Sequence, residues 1–547
     1  MMTAPAPPAA AWWARLLHRT NAPFVHPDAA ALANGSGRTG SAGSTPGVGD
    51  FVDHFGLSFF WTASHLGAAK LAPLRHVGDP LLDAWLANSR LRPKDDPIPV
   101  LFPTDVRDDA AGDTAGLDAA LALRRQLLAT PAWVDWEAVR RGQDVFVRHA
   151  GGAGIALLNC SLVGGFGAPK INKVLGSTGY LARSCQTSYV RLFETLQMIV
   201  DCMQPGGMRP AARRGSNNGA EWGGVGWRAC IRVRVLHGKV RRRLLAMGKW
   251  DRTEWGVPIN QEDMCATLLS FAPIVLECLD FMKQRLSPRE KEDYIHLWRL
   301  IGYYSGILEE HNPCRGGADS ARAVLESIVR HIVCPDATSA AMSNHMLRST
   351  ADRPPLHMPY EAGAQLSRML LGHRGADLLQ MPPEHRGWRL VHGLQFLLLR
   401  WLSWMTRWPF GIGDRMMHAQ RTLLKRVAVM LQGSGGRRTK FELKFVPDDK
   451  HFGDMGCPHS GNGDHKDDDS RDSACEGNGT TCTSSSTGNG DSNTKPAGVS
   501  ALQAFVYTSL RLGSRVGALV AVLLISGWSI REVFRCVWSL VERVITF

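Results

Sequence analysis

The chain has 547 residues, of which 44% are hydrophobic, and this is enough apolar sequence for a large packed core. Its formal net charge of +13 is compatible with nucleic acid, an anionic membrane or an anionic cofactor as a partner. Because the sequence has no zinc-finger spacing, no RNA-binding aromatic signature and no basic coiled coil, we do not expect nucleic acid to be the partner.

The twelve cysteines are scattered and form no CxxC pair. Most of them lie within apolar helical patterns, which predicts free buried thiols in a reducing compartment. A group of possible metal ligands lies near the end of the chain. Its members are Cys457, His459, His465, Cys475 and Cys482. It lies in Gly/Ser/Asp-rich low-complexity sequence, so we expect no metal site there.

Residues 1–49 are rich in Ala, Pro, Gly and Ser, which predicts a disordered or targeting segment. Its basic stretch AWWARLLHRT is compatible with organelle targeting, or with an interfacial anchor through Trp12 and Trp13. No long apolar core follows, so a secretory signal is not expected.

The hydrophobic pattern of residues 50–435 predicts one helical domain. The segment DHFGLSFFWTASHLG predicts a buried, aromatic-rich first helix. Helices are then expected at Leu117–Leu128 and Trp133–Arg148, separated by a break at Thr130–Pro131. The glycine-rich stretch that follows, GGAGIALLNCSLVGGFGAPKINKVLGSTG, lacks the phosphate-loop signature and predicts close helix packing and turns instead.

The next predicted helix, Leu181–Met203, carries apolar residues on one face. These are Tyr189, Leu192, Phe193, Leu196 and Val200. Arg191 and Thr195 are four residues apart and so project from one side of the helix, with Glu194 beside them. From the residues alone, Arg191 and Glu194 form either an exposed helical ion pair or part of a site.

The stretch Arg228–Arg252 predicts a helix with a buried stripe formed by Val233, Leu236, Val240 and Leu244. His237 lies on this stripe, whereas the arginines of the helix are expected mostly off it. Those arginines are Arg232, Arg234, Arg241 and Arg243. His237 has two interpretations, a core histidine satisfied by its neighbours or an axial ligand to a metal or haem.

Two further helices follow. The first opens with Asn260, Gln261, Glu262 and Asp263, which we expect to cap it. The second begins at Ser287–Pro288 and contains an Asp-x-x-His pair, after which more acidic and histidine residues follow. These residues are Asp293, His296, Glu309, Glu310 and His311. Bundles that hold two irons use Glu and Glu-x-x-His units from several helices, but only one such unit occurs here, so a di-iron site is a minor alternative.

The stretch Gly387–Pro409 is strongly apolar, with four tryptophans and interrupting arginines. The arginines exclude a clean membrane span, and we expect core, with a helix whose aromatic end meets a membrane surface as the alternative. Residues 448–500 predict a low-complexity linker. Within 501–547, the fifteen uncharged residues Val516–Ile530 are fewer than the roughly 20 of a full span and predict a C-terminal membrane anchor or an interfacial helix.

Five phrases occur in order along the helical region: WEAVRRGQDVFVRH, VLGSTGYLARSCQTSYVRLFETLQMI, VRVLHGKVR, WGVPINQEDMCATLLSF and YIHLWRLIGYYSGI. Their order and spacing resemble the family that joins the rubber oxygenases (latex-clearing proteins) to the endoplasmic-reticulum-bound oxygenases of fungal mycophenolic acid synthesis. The resemblance extends roughly from Val52 to Met430. It implies an all-α, globin-like domain that holds one b-type haem, with His237 as the proximal iron ligand.

The same resemblance places Arg191 and Thr195 on the distal side of the haem. The rubber-cleaving members have lysine where this chain has Glu194. A carboxylate cannot act as a neutral amine ligand, so Glu194 is either a general base towards an allylic proton or the partner of Arg191. The reaction implied is the cleavage of an isoprenoid carbon–carbon double bond by dioxygen, and the change to Glu194 argues against rubber itself as the substrate.

Two other functions are compatible with the sequence. One is a non-enzymatic, membrane-tethered haem-binding protein, and the other is a non-haem iron oxygenase that uses Asp293, His296 and Glu310. A disordered tether followed by an apolar tail predicts a membrane-associated, intracellular protein of the endoplasmic reticulum or another organelle. The apolar substrate would then be met in lipid.

Overall fold

The computed structural model describes residues 46–92, 94–103, 114–178, 184–210, 223–353 and 357–430. The chain divides into two units, Met1–Gly461 and Asn462–Phe547, and every described residue belongs to the first. The predictions for residues 1–45, for the linker 448–500 and for the C-terminal segment 501–547 fall outside the described residues.

The described chain is all-α apart from one β hairpin, which confirms the predicted fold class. The hairpin strands are β1 (Phe51–His54) and β2 (Leu57–Phe60), and the first helices are α1 (Ala68–Leu71), a 3-10 turn (Ala72–His76), α2 (Pro80–Asn88), α3 (Pro97–Leu101), α4 (Thr114–Leu128) and α5 (Trp136–Arg148). The middle of the chain forms α6 (Ala150–Ala156), a π-helical turn (Leu157–Leu162), α7 (Val163–Gly165), α8 (Pro169–Thr178), α9 (Cys185–Cys202), α10 (Val225–Ala246) and α11 (Arg252–Trp255). The last part forms α12 (Gln261–Phe271), α13 (Pro273–Phe281), α14 (Pro288–Tyr304), a 3-10 turn (Glu309–His311), α15 (Gly317–Ile332), α16 (Ala337–Thr350), α17 (Tyr360–Leu378), α18 (Arg386–Met405) and α19 (Ile412–Met430).

The segment predicted as the first helix is in fact the β hairpin, so that prediction is wrong. β1 and β2 pair antiparallel, with Phe51 opposite Phe60. Phe55 and Gly56 link them with φ angles of 50° and 82°, and positive φ at both central residues is the geometry of the tight turn that joins two twisted strands. A Cβ at position 56 would overlap the carbonyl oxygen of Leu371, so glycine is required there. A short aromatic run is compatible with both the helical period of 3.6 residues and the strand period of 2. The turn at Phe55 and Gly56, with its packing against α17, favours the hairpin.

The predicted helices around the Thr130–Pro131 break are confirmed as α4 and α5. Asp135 caps α5 by accepting a hydrogen bond from the backbone N–H of Glu137 at 2.8 Å. α5 packs along α14, and at Gly142 the two helices are so close that a Cβ would overlap the carbonyl oxygen of Asp293. The stretch for which close helix packing of glycines is predicted begins at Gly151. Within it, a Cβ at Gly152 would overlap the side chains of Gln284 and Leu279, which agrees with that prediction.

One segment of the described chain, Gln261–Phe281, is long and apolar enough to cross a membrane, and a bent pair, Trp136–Arg148 with Ala150–Gly165, passes the same test together. Gln261–Phe281 comprises α12 and α13, and more than half of its most apolar window is buried inside the protein. Leu269 and Val275 in it are fully buried. Packing in the core therefore accounts for its apolar composition.

The stretch Gly387–Pro409 was expected to lie in the core, and this is correct for only one of its faces. In α18, Trp388, His392 and Met405 are buried. On the opposite side, leucine and tryptophan side chains are exposed to solvent. The expectation fails because apolar residues occur on all sides of α18, whereas only one side of the helix packs against other described residues.

Candidate functional site

The two helices that carry the predicted site residues, α9 and α10, meet at Cys202 and Cys230, whose sulfur atoms are 3.7 Å apart. Thr195 lies seven residues before Cys202, and His237 lies seven residues after Cys230. At a rise of about 1.5 Å per residue, each is about 10 Å along its own helix from that contact. Thr195 and His237 therefore lie about two helical turns from the contact, each measured along its own helix.

His237 lies on α10 and is only partly buried, but its Nδ1 atom is buried and has no hydrogen-bond partner among the described residues. Burial, with a smaller effect of the nearby Arg241 guanidinium, lowers the pKa of His237 to about 4. The ring is therefore neutral at pH 7. A satisfied core histidine would have partners for both nitrogens, whereas a neutral imidazole with an unused nitrogen has the chemistry of a metal ligand. The ligand role of His237 stays a prediction.

The stripe that carries His237 is buried along only part of its length. Val240 and Leu244 are buried in a small apolar cluster with Val174 and Trp250. Val233 and Leu236, which flank His237 on the N-terminal side, are only half-buried. The imidazole thus lies at the edge of an apolar surface that the described residues leave partly open.

α9 has a similar half-open apolar side. Leu192, Phe193 and Leu196 are half-buried, whereas Glu194 and Gln197 are buried. Of the predicted apolar face, Tyr189 and Val200 are buried, so this face meets the core at its two ends and is half-open between them. Leu196 on α9 and Leu236 on α10 are both half-buried, and each lies six residues from the Cys202–Cys230 contact.

Arg191 and Glu194 form an ion pair one helical turn apart, from Nη1 to Oε2. Their side chains are only 16% and 6% exposed. The two residues therefore do form an ion pair, but the pair is largely buried and not exposed as that alternative expects. Thr195 is exposed and donates its hydroxyl proton to the carbonyl oxygen of Arg191 at 3.2 Å. The structure brings these three residues together, but within the described chain no hydrogen bond or ion pair joins them to His237.

Arg234 and Arg241 were expected mostly off the buried stripe of α10, and both are in fact buried. Arg234 donates two hydrogen bonds to Asp79, at 2.6 and 2.8 Å, and the two side chains are 2% and 1% exposed. Arg241 donates to Asp83 at 2.6 Å. These charges are tolerated in the interior because α2 begins at this point and supplies a carboxylate for each.

The polar residues that open α12 do more than cap it. Asn260 and Asp263 form a capping box, as expected. Gln261 donates to the carbonyl oxygens of Gly78 and Gly306, at 2.8 and 3.0 Å, and accepts from the backbone N–H of Leu308 at 3.0 Å. The side chain of Gln261 thereby joins three segments that are distant in the sequence.

Glu262 and Asp263 have opposite pKa shifts although they are adjacent. Burial raises the pKa of Glu262, but hydrogen bonds from His331 and Arg75 outweigh burial, so its net pKa is lowered. Burial, together with the charge of Glu262, raises the pKa of Asp263 to about 7. Burial and the contacts of Glu262 with His331 and Arg75 therefore set these two pKa values. Gln261 and the Arg234–Asp79 pair form a polar network that borders α10 and joins three of the five sequence phrases.

Sequence reasoning missed this network because its members come from four separate segments. A usable signal was present in the arginines of α10, which are too numerous and too regularly spaced for one solvated face. Gly306 was another signal, because its φ of 97° requires glycine and a Cβ there would meet Asp79 and Arg234.

The residues of the di-iron alternative have other partners. Asp293 accepts two hydrogen bonds from Arg141, at 2.7 and 2.8 Å. The Nε2 atom of His296 accepts the backbone N–H of Asp135 at 3.0 Å, and Glu309 pairs with Arg299. Among the residues with a described position, no group of three or more His, Cys, Asp or Glu side chains is arranged to hold a metal ion. A haem needs only an axial ligand from the protein, because the porphyrin supplies the other four nitrogens.

Comparison with known proteins places these residues in a family. Residues 139–408 match the model of the ER-bound oxygenase mpaB/B′/rubber oxygenase catalytic domain. This segment belongs to that family. It contains Arg191, Glu194, Thr195 and His237, and also the network residues Arg234 and Gln261.

Two individual proteins are similar to the chain. The rubber oxygenase of Streptomyces sp. (strain K30) is 29% identical over 105 residues, which are 18% of this chain and 26% of that protein. The chain therefore matches about a quarter of the length of this rubber oxygenase. The structure of a latex clearing protein in the closed state aligns with a TM-score of 0.48 and 18% identity, covering 69% of this chain and 95% of that one.

Proposed function

We propose that the chain is a haem-dependent oxygenase that holds one b-type haem through His237 and acts on an apolar isoprenoid substrate. The observation that carries the proposal is the position of His237, a neutral imidazole with an unpartnered nitrogen at the partly open apolar edge of α10, inside a segment of the mpaB/rubber oxygenase family. His149 also has an unpartnered nitrogen, but it is fully buried in the core. The half-buried side chains of Val233, Leu236 and Leu196 offer apolar contacts suited to the faces of a porphyrin. When bound, the haem supplies the activation of dioxygen.

The distal residues of the proposed site are Arg191, Glu194 and Thr195. Arg191 holds the Glu194 carboxylate in one position, which suits a general base that accepts an allylic proton from the substrate. Thr195 gives its proton to the Arg191 carbonyl oxygen, so its own oxygen is oriented to accept a hydrogen bond. In this proposal Glu194 accepts the proton and later returns it, so that the substrate loses no hydrogen overall, and Arg191 positions the base.

The substrate class follows from the family and from the apolar surroundings of His237. One dioxygen molecule and one carbon–carbon double bond give two carbonyl groups, so the reaction balances without another oxidant. The similarity to a rubber oxygenase supports an isoprenoid substrate. Glu194 in place of lysine favours an isoprenoid lipid over rubber.

We also propose a membrane-associated, intracellular location, with the segment 501–547 as the anchor. The eight cysteines of the described residues are all free thiols, which supports a reducing compartment. The anchor itself lies outside the described residues.

The deciding experiment is an absorption spectrum of the full chain expressed with haem supply, beside its His237→Ala variant. We expect a strong Soret band in the parent that disappears or shifts in the variant. The matched control is His373→Ala, a partly exposed histidine on α17, and its band should be unchanged. Circular dichroism should show that all three proteins are folded.

Other outcomes identify the alternatives. A folded parent without a Soret band, or a band unaffected by His237→Ala, would overturn the haem assignment, and bound iron without that band would favour a non-haem enzyme. A haem band without dioxygen uptake in the presence of prenylated lipids would favour a haem-binding protein without oxygenase activity.

A further inference from the structure

The outer side of α18 carries an exposed apolar patch, which we call the α18 outer face. Its members are Leu390, Leu394, Leu397, Leu398, Trp401 and Trp404, each between 37% and 55% exposed. They are six of the fourteen large hydrophobic residues that are exposed in the described part of the chain, and Phe410, 96% exposed, follows shortly after. Single exposed leucines are ordinary, but a contiguous row on one helix marks an interaction surface.

The patch lies on a helix that is firmly seated in the domain. On the inner side of α18, Phe396 packs edge-to-face against Phe281 with ring centroids 6.2 Å apart. His392, also on the inner side, is hydrogen-bonded through both ring nitrogens, to Gln395 and to the carbonyl oxygen of Ala362. Because the inner side is well packed, α18 is held firmly in the domain. The exposure of the outer face is therefore a property of the folded structure and does not come from a loosely packed helix.

Positive charge surrounds the aromatic end of the patch. A groove of about 420 Å³ there is lined by Leu397, Trp401, Ser403 and Trp404 together with the cationic side chains Lys283, Arg285, Arg400 and Arg407. Glu290 pairs with Arg407, whereas α18 itself contains no aspartate or glutamate. The groove therefore combines an apolar tryptophan-rich floor with a rim that has more cations than anions.

We propose that the α18 outer face docks onto the surface of an anionic phospholipid bilayer. The leucines and tryptophans would enter the boundary between headgroups and acyl chains, and the rim cations would contact lipid phosphates. Tryptophan is the residue typical of this boundary, because its ring is apolar and its N–H is polar. The proposal concerns the folded domain alone and depends on neither the haem nor the segment 501–547.

A second copy of the chain fits this surface less well. A two-fold symmetric dimer places a patch against itself, so the four cations of one rim would face the same four cations of the other. Anionic headgroups complement that charge, and this is why the bilayer is the favoured occupant.

The test is flotation of residues 1–461, the unit that holds every described residue and lacks the proposed anchor 501–547, with vesicles of phosphatidylcholine alone or with about a quarter of phosphatidylserine. Circular dichroism should first show that this shorter form is as helical as the described domain. The parent should bind the phosphatidylserine vesicles more strongly than phosphatidylcholine ones. The double variant Leu394→Ser/Leu398→Ser should lower the partition coefficient by about tenfold. The matched control is Leu117→Ser/Leu121→Ser, two exposed leucines with the same spacing on α4, and it should bind like the parent.

Charge is tested separately with Arg400→Glu, which should weaken binding to the phosphatidylserine vesicles by about tenfold and leave phosphatidylcholine binding little changed. The proposal is overturned if the parent does not float or if the Leu394/Leu398 variant binds vesicles like the parent. It is also overturned if the Leu117/Leu121 control loses as much vesicle binding as the Leu394/Leu398 variant. It is also overturned, in favour of a second copy, if light scattering without vesicles shows a dimer that the Leu394/Leu398 variant dissociates.

Discussion

Buried ionisable side chains in this protein are stabilised in one of two ways. Arg234 and Asp79 form a close, hydrogen-bonded ion pair in which each offsets the burial of the other. His237 and His149 have no such partner and are held neutral by burial, which lowers the pKa of each to about 4. A buried ionisable side chain is here either paired with an opposite charge or held neutral by burial.

His149 makes the stability of the fold sensitive to acid. Its Nδ1 bonds Gln284 Oε1 at 2.8 Å, and burial, more than the nearby Arg148, lowers its pKa from 6.5 to about 4. Above pH 6.5, His149 is neutral in both the folded and the unfolded state and does not change the free energy of unfolding. Between pH 6.5 and 4, only the unfolded chain takes up a proton at this residue. The folded state should therefore lose on the order of 3 kcal/mol over this range.

The variant His149→Asn keeps a donor for Gln284 and removes the titration. Its unfolding free energy in urea should fall less between pH 7 and pH 4.5 than that of the parent. His418→Asn, at an exposed position on α19, is the control and should keep the steep dependence of the parent. An unchanged pH dependence in His149→Asn would contradict the assignment.

At the scale of elements, local signals located most helices but did not decide which side of each one is buried. α14 begins where Ser287 and Pro288 predict it, with a capping box between Ser287 and Glu290. α18 is helical as its pattern suggests, but one side is exposed because no other described element covers it. The β hairpin was missed because a turn with two positive φ angles at Phe55 and Gly56 has only a weak sequence signature.

The turn of the hairpin provides a test at this scale. Gly56→Ala forces a φ of 82° on alanine and places its Cβ against the Leu371 carbonyl oxygen, so we expect a loss of about 2–4 kcal/mol in the free energy of unfolding. The control is Gly154→Ala, an exposed helical position with nothing within 4 Å of the added carbon. It should be stabilising by about 0.5–1 kcal/mol in the same urea titration. Equal effects of the two variants would refute the geometry of the turn.

At the scale of the whole molecule, Gln261 links parts of the chain that are far apart in sequence. Its amide bonds Gly78, before α2, and Gly306 and Leu308, after α14. Arg75 and His331 both contact the carboxylate of the adjacent Glu262. The polar network beside α10 thus fixes the relative positions of α2, α12 and α14 around His237.

Removing the Gln261 side chain leaves two buried or partly buried carbonyl groups and one N–H without a partner. We expect Gln261→Ala to lower the free energy of unfolding by about 2–4 kcal/mol. The control Gln186→Ala removes an exposed hydrogen bond to Arg353 and should cost no more than about 0.5 kcal/mol. Urea unfolding followed by tryptophan fluorescence measures both, and similar small losses would show that the network does not hold the fold together.

The sequence by itself determined the all-α class, most helix positions and the family, because periodicity, caps and phrase order are properties of neighbouring residues. It also placed Arg191 beside Glu194, since residues three apart meet on one helix. Only the tertiary structure decided that Arg234 and Arg241 are buried, because Asp79 and Asp83 come from a distant helix. The same holds for the hairpin and for the exposed side of α18: burial depends on which distant elements pack against a residue, and no local pattern contains that information.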